Sequence, residues 1–181
     1  MIIFLGAVLL WSFSPIGAAW AANYHGRVID AETGKSLEGA VVAVVWHKKP
    51  ILVMGGITYY HNARETLTDA EGNFSLDASE GINWHPFTFV QEPRILVFYP
   101  GYGPLTPGYP GEFRDTYGIA EALERGAVVR LPKLKTQSEL WKFSDSSTLG
   151  LSADMPIEKV VPNFLRLINV HRKIAGLKPY Q

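Results

Sequence analysis

The chain has no cysteine among its 181 residues. That absence removes disulfides, thiolate metal sites, cysteine nucleophiles and the lipidated cysteine of a bacterial lipoprotein in one step. Charge of either sign is also not in excess: Lys plus Arg and Asp plus Glu number 17 each. A neutral chain gives no electrostatic reason to expect nucleic acid or an anionic membrane surface as partner. No Lys, Arg, Asp or Glu precedes Arg27, so removing the N-terminus leaves the balance unchanged. There is no internal repeat, and no Gly-x-Ser-x-Gly elbow for a serine nucleophile. Asp145-Ser146-Ser147 reads as a polar linker of turn and cap residues.

What is present begins with an apolar leader. Met1 to Ala22 carries no ionisable side chain, and Ile2 to Trp11 is an unbroken apolar run. Pro15-Ile16-Gly17 breaks it, and Ala19-Trp20-Ala21 supplies small residues where a signal peptidase reads. We therefore expect a signal peptide over 1–21, cleaved before Ala22, and a periplasmic or extracellular protein. The competing reading is a retained anchor, since this stretch just reaches the ~20 residues that span a bilayer.

The stretch Gly26 to Val44 reads as strand, polar turn, strand. Val28 and Ile29 lead into Asp30, and Thr33-Gly34 with Leu37-Glu38-Gly39 provides turn chemistry. Ala40 to Trp46 is apolar on both faces, with Ala40, Val42, Val44 and Trp46 on one side and Val41, Ala43 and Val45 on the other. Both faces must then be covered, one of them by something outside the sheet.

Tyr59 to Thr68 is strand-like, Asp69-Ala70-Glu71-Gly72 is a tight turn, and Asn73 to Leu76 returns with Phe74 and Leu76 facing inward. Ile51 to Ile57, interrupted by Gly55-Gly56, reads as a hairpin or a loop lying on the sheet. Asp77 to Pro93 reads as a long connection whose Trp84, His85, Phe87 and Phe89 cap the sandwich end. Arg94 to Tyr99 is a core strand, and Pro100 to Gly111 a proline-glycine-tyrosine loop. Tyr117 to Arg125 has room for a helical turn or two, and Ala127 to Leu131 is a last strand. Ser138 to Phe143 suggests a short helix.

Towards the C-terminus, Ile157, Val160, Val161, Phe164, Ile168, His171 and Ala175 recur at helical spacing, with Gly176 and Pro179 as stop signals. Pro162 either kinks this helix or starts it afresh. An amphipathic helix needs an apolar bed, and the two-faced strand needs a lid, so the tail should pack on the sandwich.

Two motifs carry a resemblance. Gly26-x-Val28-x-Asp30-x-x-Thr33-Gly34-x-x-Leu37-x-Gly39-Ala40-x-Val42, followed by Thr66-x-Thr68-Asp69-x-x-Gly72-x-Phe74, resembles the carboxypeptidase regulatory-like domains. The resemblance covers about Tyr24 to Leu134. It implies a mainly β, seven-stranded antiparallel prealbumin-like (transthyretin-like) sandwich over 22–135, to which 136–181 adds a helical extension. It implies no particular function, since such domains accompany peptidases, receptors and other proteins.

For chemistry, His47, His61 and His85 are the candidate metal ligands, with Glu65 near them in sequence. A zinc peptidase would show His-x-x-Glu, whereas His61 and Glu65 are one residue too far apart. In an extended segment they stand about 13 Å apart at ~3.3 Å per residue, too far to share an ion bound at ~2 Å. Transthyretin-like hydrolases of 5-hydroxyisourate end in Tyr-Arg-Gly-Ser, whereas this chain ends in Lys178-Pro179-Tyr180-Gln181. The residues that suggest ligand binding are the loop aromatics Trp84, Tyr99, Tyr102 and Tyr109, together with His85. His171, on the apolar stripe, reads as a core or capping residue. The expectation is an exported, non-catalytic binding or structural module without a cofactor. Its partner would be a protein, peptide or glycan of the envelope; a sugar- or peptide-binding protein and a metal-dependent hydrolase are the alternatives.

Overall fold

The computed structural model describes residues 21–51, 57–85, 87–106, 116–145, 149 and 151–180. The leader 1–20, most of the Ile51–Ile57 stretch and Tyr109 lie outside these. Seven strands are described: β1 (Ala21–Asp30), β2 (Val41–Pro50), β3 (Tyr59–Leu67), β4 (Asn73–Ser79), β5 (Thr88–Val90), β6 (Arg94–Phe98) and β7 (Ala127–Leu131). Four helices join them: α1 (Thr116–Glu124), α2 (Gln137–Lys142), α3 (Ile157–Val160) and α4 (Pro162–Ile174). The strands form two sheets, one ordered β4-β1-β7 and the other built on β2, with β3 on one side and β5 and β6 on the other. The protein is thus mainly β, in two sheets, with a helical C-terminus.

One pairing departs from the antiparallel expectation: β7 runs parallel to β1, from Gly26 against Ala127 to Asp30 against Leu131. The reason is α1, a full helix where a turn or two was expected. It lies against β1 with Ile119 and Leu123 fully buried, and returns the chain so that β7 enters alongside β1 in the same direction. Gly26 permits the approach, because a Cβ there would overlap the Ala127 carbonyl oxygen.

The motif residues are turn chemistry. Asp30 Oδ1 accepts from the N–H groups of Glu32 and Thr33, both at 2.8 Å. Thr68 Oγ1, buried, accepts from Ala40 N–H at 2.9 Å and donates to the Leu37 carbonyl at 2.6 Å, stitching the β1–β2 turn to the end of β3. Asp69 Oδ1 accepts from Asn73 N–H, and Gly72 sits at φ +80° where a Cβ would come within 2.5 Å of the Val28 carbonyl oxygen. Any other residue there meets both a strained backbone and a clash.

β2 is covered on both faces. Val42, Val44 and Trp46 face the interior between the sheets, with Tyr24, Val28, Phe74, Leu76, Ile95, Val97, Ile119 and Leu123. Val41, Ala43 and Val45 face outward into a second core with Leu96, Phe98, Phe143, Met155, Val161, Phe164, Leu167 and Ile168. The tail helix is the lid that the two-faced strand demanded. Pro162 is its first residue, a restart after α3 and not a kink. Its C-terminus closes with Gly176 at φ +72°, Leu177 N–H bonding the Arg172 carbonyl and Gly176 N–H that of Lys173.

Val161, before Pro162, offers no side-chain cap. The cap comes from across the fold: Glu65 on β3 accepts from Asn163 N–H at 2.7 Å and from Phe164 N–H at 2.9 Å, one oxygen each. A carboxylate on the exposed amides of a helix N-terminus is favoured by both hydrogen bonding and the helix dipole. Glu65→Ala should therefore cost about 1–3 kcal/mol in urea unfolding with the slope unchanged, and Glu65→Gln less.

His171 is fully buried on α4. Its Nδ1 accepts from Gly101 N–H at 3.1 Å, which assigns the ring proton to Nε2, 2.9 Å from the Leu140 carbonyl. The neutral ring thus joins α4, α2 and the loop after β6. Burial holds its pKa below the usual histidine value, as it does for His47 and His61. A depressed histidine pKa means that the unfolded chain binds more protons. The stability is complete above about pH 6.5 and is lost as pH falls below it. The urea midpoint should drop from pH 8 to pH 5.5, and His171→Gln should flatten that slope without abolishing it.

Candidate functional site

At the end of the interior where β1 begins and β4 finishes, the two sheets do not close. A cleft of about 940 Å³ opens there. Its apolar lining comes from Tyr24, Trp46, Ala78, Val90 and Ala120, contributed by β1, β2, β4, β5 and α1. Four glutamates stand on its walls: Glu80 after β4, Glu92 between β5 and β6, and Glu121 and Glu124 on α1. No lysine or arginine is among the described lining residues; Glu121 bonds Arg125 at 2.7 Å on the exposed helix surface. Burial, aided by the Glu124 charge, raises the pKa of the Tyr24 hydroxyl.

Several of the exposed large apolar side chains among the described residues belong to the chain that follows β4 and to the neighbouring strand ends. Trp84 is 82% exposed, Phe87 67% and Ile82 66%. Phe89 on β5 pairs with Lys49, Ile51 N–H bonds the Phe87 carbonyl, and Tyr59 pairs with Lys48, so Ile51, Tyr59 and Phe89, all exposed, border the same corner. The expectation that these loop rings cap the sandwich is corrected here. Ile82, Trp84 and Phe87 are exposed, and none of them is among the described residues that line the cleft.

The aromatic candidates do not form one site. Tyr99 and Tyr102 pack edge to face at 5.5 Å, half-buried against the interior core. Tyr102 Oη donates to Asp30 Oδ2 at 2.8 Å. Burial and that bond push the Tyr102 pKa up to about 12, while the Thr33 N–H and Tyr102 bonds hold Asp30 at about 2. Phe98, next to Tyr99, pairs with Val41, whereas Phe89 pairs with Lys49. Eight residues of β2 separate those positions, about 26 Å at ~3.3 Å per residue. Trp84 and His85 lie at the cleft end; Tyr99 and Tyr102 brace the other.

The histidines are also dispersed. His47 is buried on β2, its pKa affected by Arg94 and Asp154 as well as burial. His61 occupies the irregularity in β3 between Asn62, which pairs with Trp46, and Tyr60, which pairs with His47. His85 is exposed, and Glu65 is occupied as the α4 cap. Among the described residues no group of three or more His, Asp or Glu side chains is placed to hold a metal.

No family model matches the chain, and neither does any curated protein. Among solved structures it is similar to a streptococcal ancillary pilin. The two are 16% identical over 65% of this chain and 31% of the pilin, with a TM-score of 0.32. The chain thus spans about a third of that protein's length, and a likeness this distant carries no argument about family or function. No described helix is long and apolar enough to cross a membrane.

Trp84 and His85 stand out in the sequence as binding candidates; Glu80, Glu92, Glu121 and Glu124 do not. Each is an ordinary surface glutamate in the sequence. Only the fold, which brings the end of β4, the β5–β6 loop and α1 around one opening, gives them a common direction.

Proposed function

We propose that the protein is an exported, non-catalytic β-sandwich module that binds a partner of the cell envelope through the open end of its sandwich. The observation that carries this is the coincidence, at one end, of an apolar-floored cleft and a collar of exposed rings. Ligand sites are concave, largely apolar and supplied with a few polar groups, and this end has all three features. Export is supported by the uncharged leader: cleavage before Ala22 would start the mature chain within β1, which begins at Ala21. Membership of the carboxypeptidase regulatory-like, prealbumin-like sandwiches is supported by what the motif residues do. Gly34, Gly39 and Gly72 all take positive φ, and Asp30, Thr68 and Asp69 close the turns.

The test replaces the two most exposed rings together, Trp84→Ser with Phe87→Ser. Neither ring supports the core, so the melting temperature should stay within about 2 °C, while retention on an immobilised envelope fraction should be lost. Unchanged retention would place the binding face elsewhere. Mass measurement of the exported protein should find Ala22 as its first residue.

A further inference from the structure

The side chains of Tyr24, 3% exposed, and Trp46, 4% exposed, line the cleft, and neither the Tyr24 hydroxyl nor the Trp46 indole N–H has a hydrogen-bond partner among the described residues. Neither polar atom is sealed from solvent, since the buried side-chain atoms without a partner among the described residues are His61 Nε2 and Ser152 Oγ. Two donors that open to the cleft without a protein partner are available to acceptors that enter it. The indole N–H can only donate, so the group it awaits is a carbonyl or carboxylate oxygen.

The walls decide between these. Glu80, Glu92, Glu121 and Glu124 stand around the opening, Glu121 already paired with Arg125, and no lysine or arginine is among the described lining residues. A carboxylate entering there meets like charge on several sides, whereas a neutral carbonyl does not. The same glutamates favour an ammonium or guanidinium, and the rings of Tyr24 and Trp46 favour the alkyl stem or the planar cation that precedes it. A ligand that offers neutral carbonyls and carries positive charge on an apolar stem is a stretch of peptide bearing lysine or arginine. The cleft volume, about 940 Å³, lies at the upper end of the ~300–1,000 Å³ typical of ligand pockets, which is room for more than one side chain.

We propose, resting on the reading that this end is the binding face, that the cleft receives an extended lysine- or arginine-bearing peptide segment. Its carbonyls accept from Tyr24 and Trp46, and its cations sit between Glu92 and Glu124. The apolar collar of Trp84 and Phe87 then holds flanking residues of the same segment.

The experiment is a titration of the isotope-labelled protein with three probes: acetyl-Ala-Lys-Ala-Lys-Ala-amide, the same peptide with glutamate in place of lysine, and spermidine. The lysine peptide should shift the Trp46 indole N–H resonance and the amides of Ala22 to Tyr24 and of Gln91 and Glu92. Its affinity should fall roughly fivefold or more between about 50 and about 300 mM salt, and by a similar factor in the variant Glu92→Gln, Glu124→Gln. Both glutamates are exposed, so that variant keeps its fold. Trp46→Phe, which keeps a ring but loses the donor, should weaken the lysine peptide and leave any spermidine binding unchanged. Equal binding of the glutamate peptide, spermidine binding as tight as the lysine peptide, or shifts confined to another face would each overturn the proposal. If the lysine peptide fails while Trp84→Ser with Phe87→Ser still abolishes envelope retention, the ligand assignment falls and the binding face stands. If that retention is also unchanged, both fall.

Discussion

A chain ending at Asp154 should have no cooperative thermal transition and should bind a hydrophobic dye in water. The cut removes Met155, Val161, Phe164, Leu167 and Ile168 from the second core, and it uncovers the side of Val41, Ala43, Val45, Leu96 and Phe98 that they shield. Burying a large aliphatic or aromatic side chain is worth ~1.5–3 kcal/mol, and all five of these residues are of that kind. Their loss therefore matches or exceeds the ~5–15 kcal/mol by which a domain is stable. The measurement is a melt followed by circular dichroism, with dye fluorescence at low temperature. A truncated protein that melts where the full chain does would show the tail to be an ornament.

The second large effect is expected at Phe98. This ring is fully buried at the end of β6, edge-on to Phe164 at 5.6 Å and tilted against His171 at 5.5 Å. It therefore joins sheet to helix at the point where the loop hydrogen bond to His171 also closes. Phe98→Ala should cost about 3–5 kcal/mol. At ~2–4 °C per kcal/mol for a chain of this size, the melting temperature should fall by about 6–20 °C. Phe164→Ala should cost a comparable amount, and the double variant less than the sum, because the two rings share one contact. Additive losses would mean that the rings are stabilised by different neighbours.

These two effects follow from a feature that was legible in the sequence. An apolar run with no alternation, Ala40 to Trp46, requires cover on both faces, and a helical stripe with no partner of its own, Ile157 to Ala175, requires a bed. The hairpin at Asp69–Gly72 was equally clear, because tight turns carry their chemistry locally. The parallel entry of β7 was not. It depends on how α1 packs, and the Ile119 and Leu123 spacing that buries α1 is too short a pattern to stand out. The exposure of Ile82, Trp84, Phe87 and Phe89 is not legible either, since apolar residues in a loop look alike in sequence whether they seal a core or face solvent. His171 was read as a core or capping residue, and the structure makes it a neutral bridge between three segments. Glu65 is near His61 in sequence but too far along an extended strand to share an ion with it, and its partners are the amides of a helix nearly 100 residues away, a relation that no local pattern encodes. The cleft glutamates belong to the same class: separated in the chain, ordinary in type, and given a shared purpose by topology alone.

The central claim is that β2 belongs to two cores at once and that sandwich and tail form one cooperative unit. Native-state hydrogen exchange addresses it residue by residue. The amides of Val42 to Val45 on β2 and those of Leu167 to His171 on α4 should open with the same free energy and the same denaturant dependence, equal to those of global unfolding. If the α4 amides exchange through a cheaper opening that leaves β2 protected, the tail is a separate unit and the account is wrong.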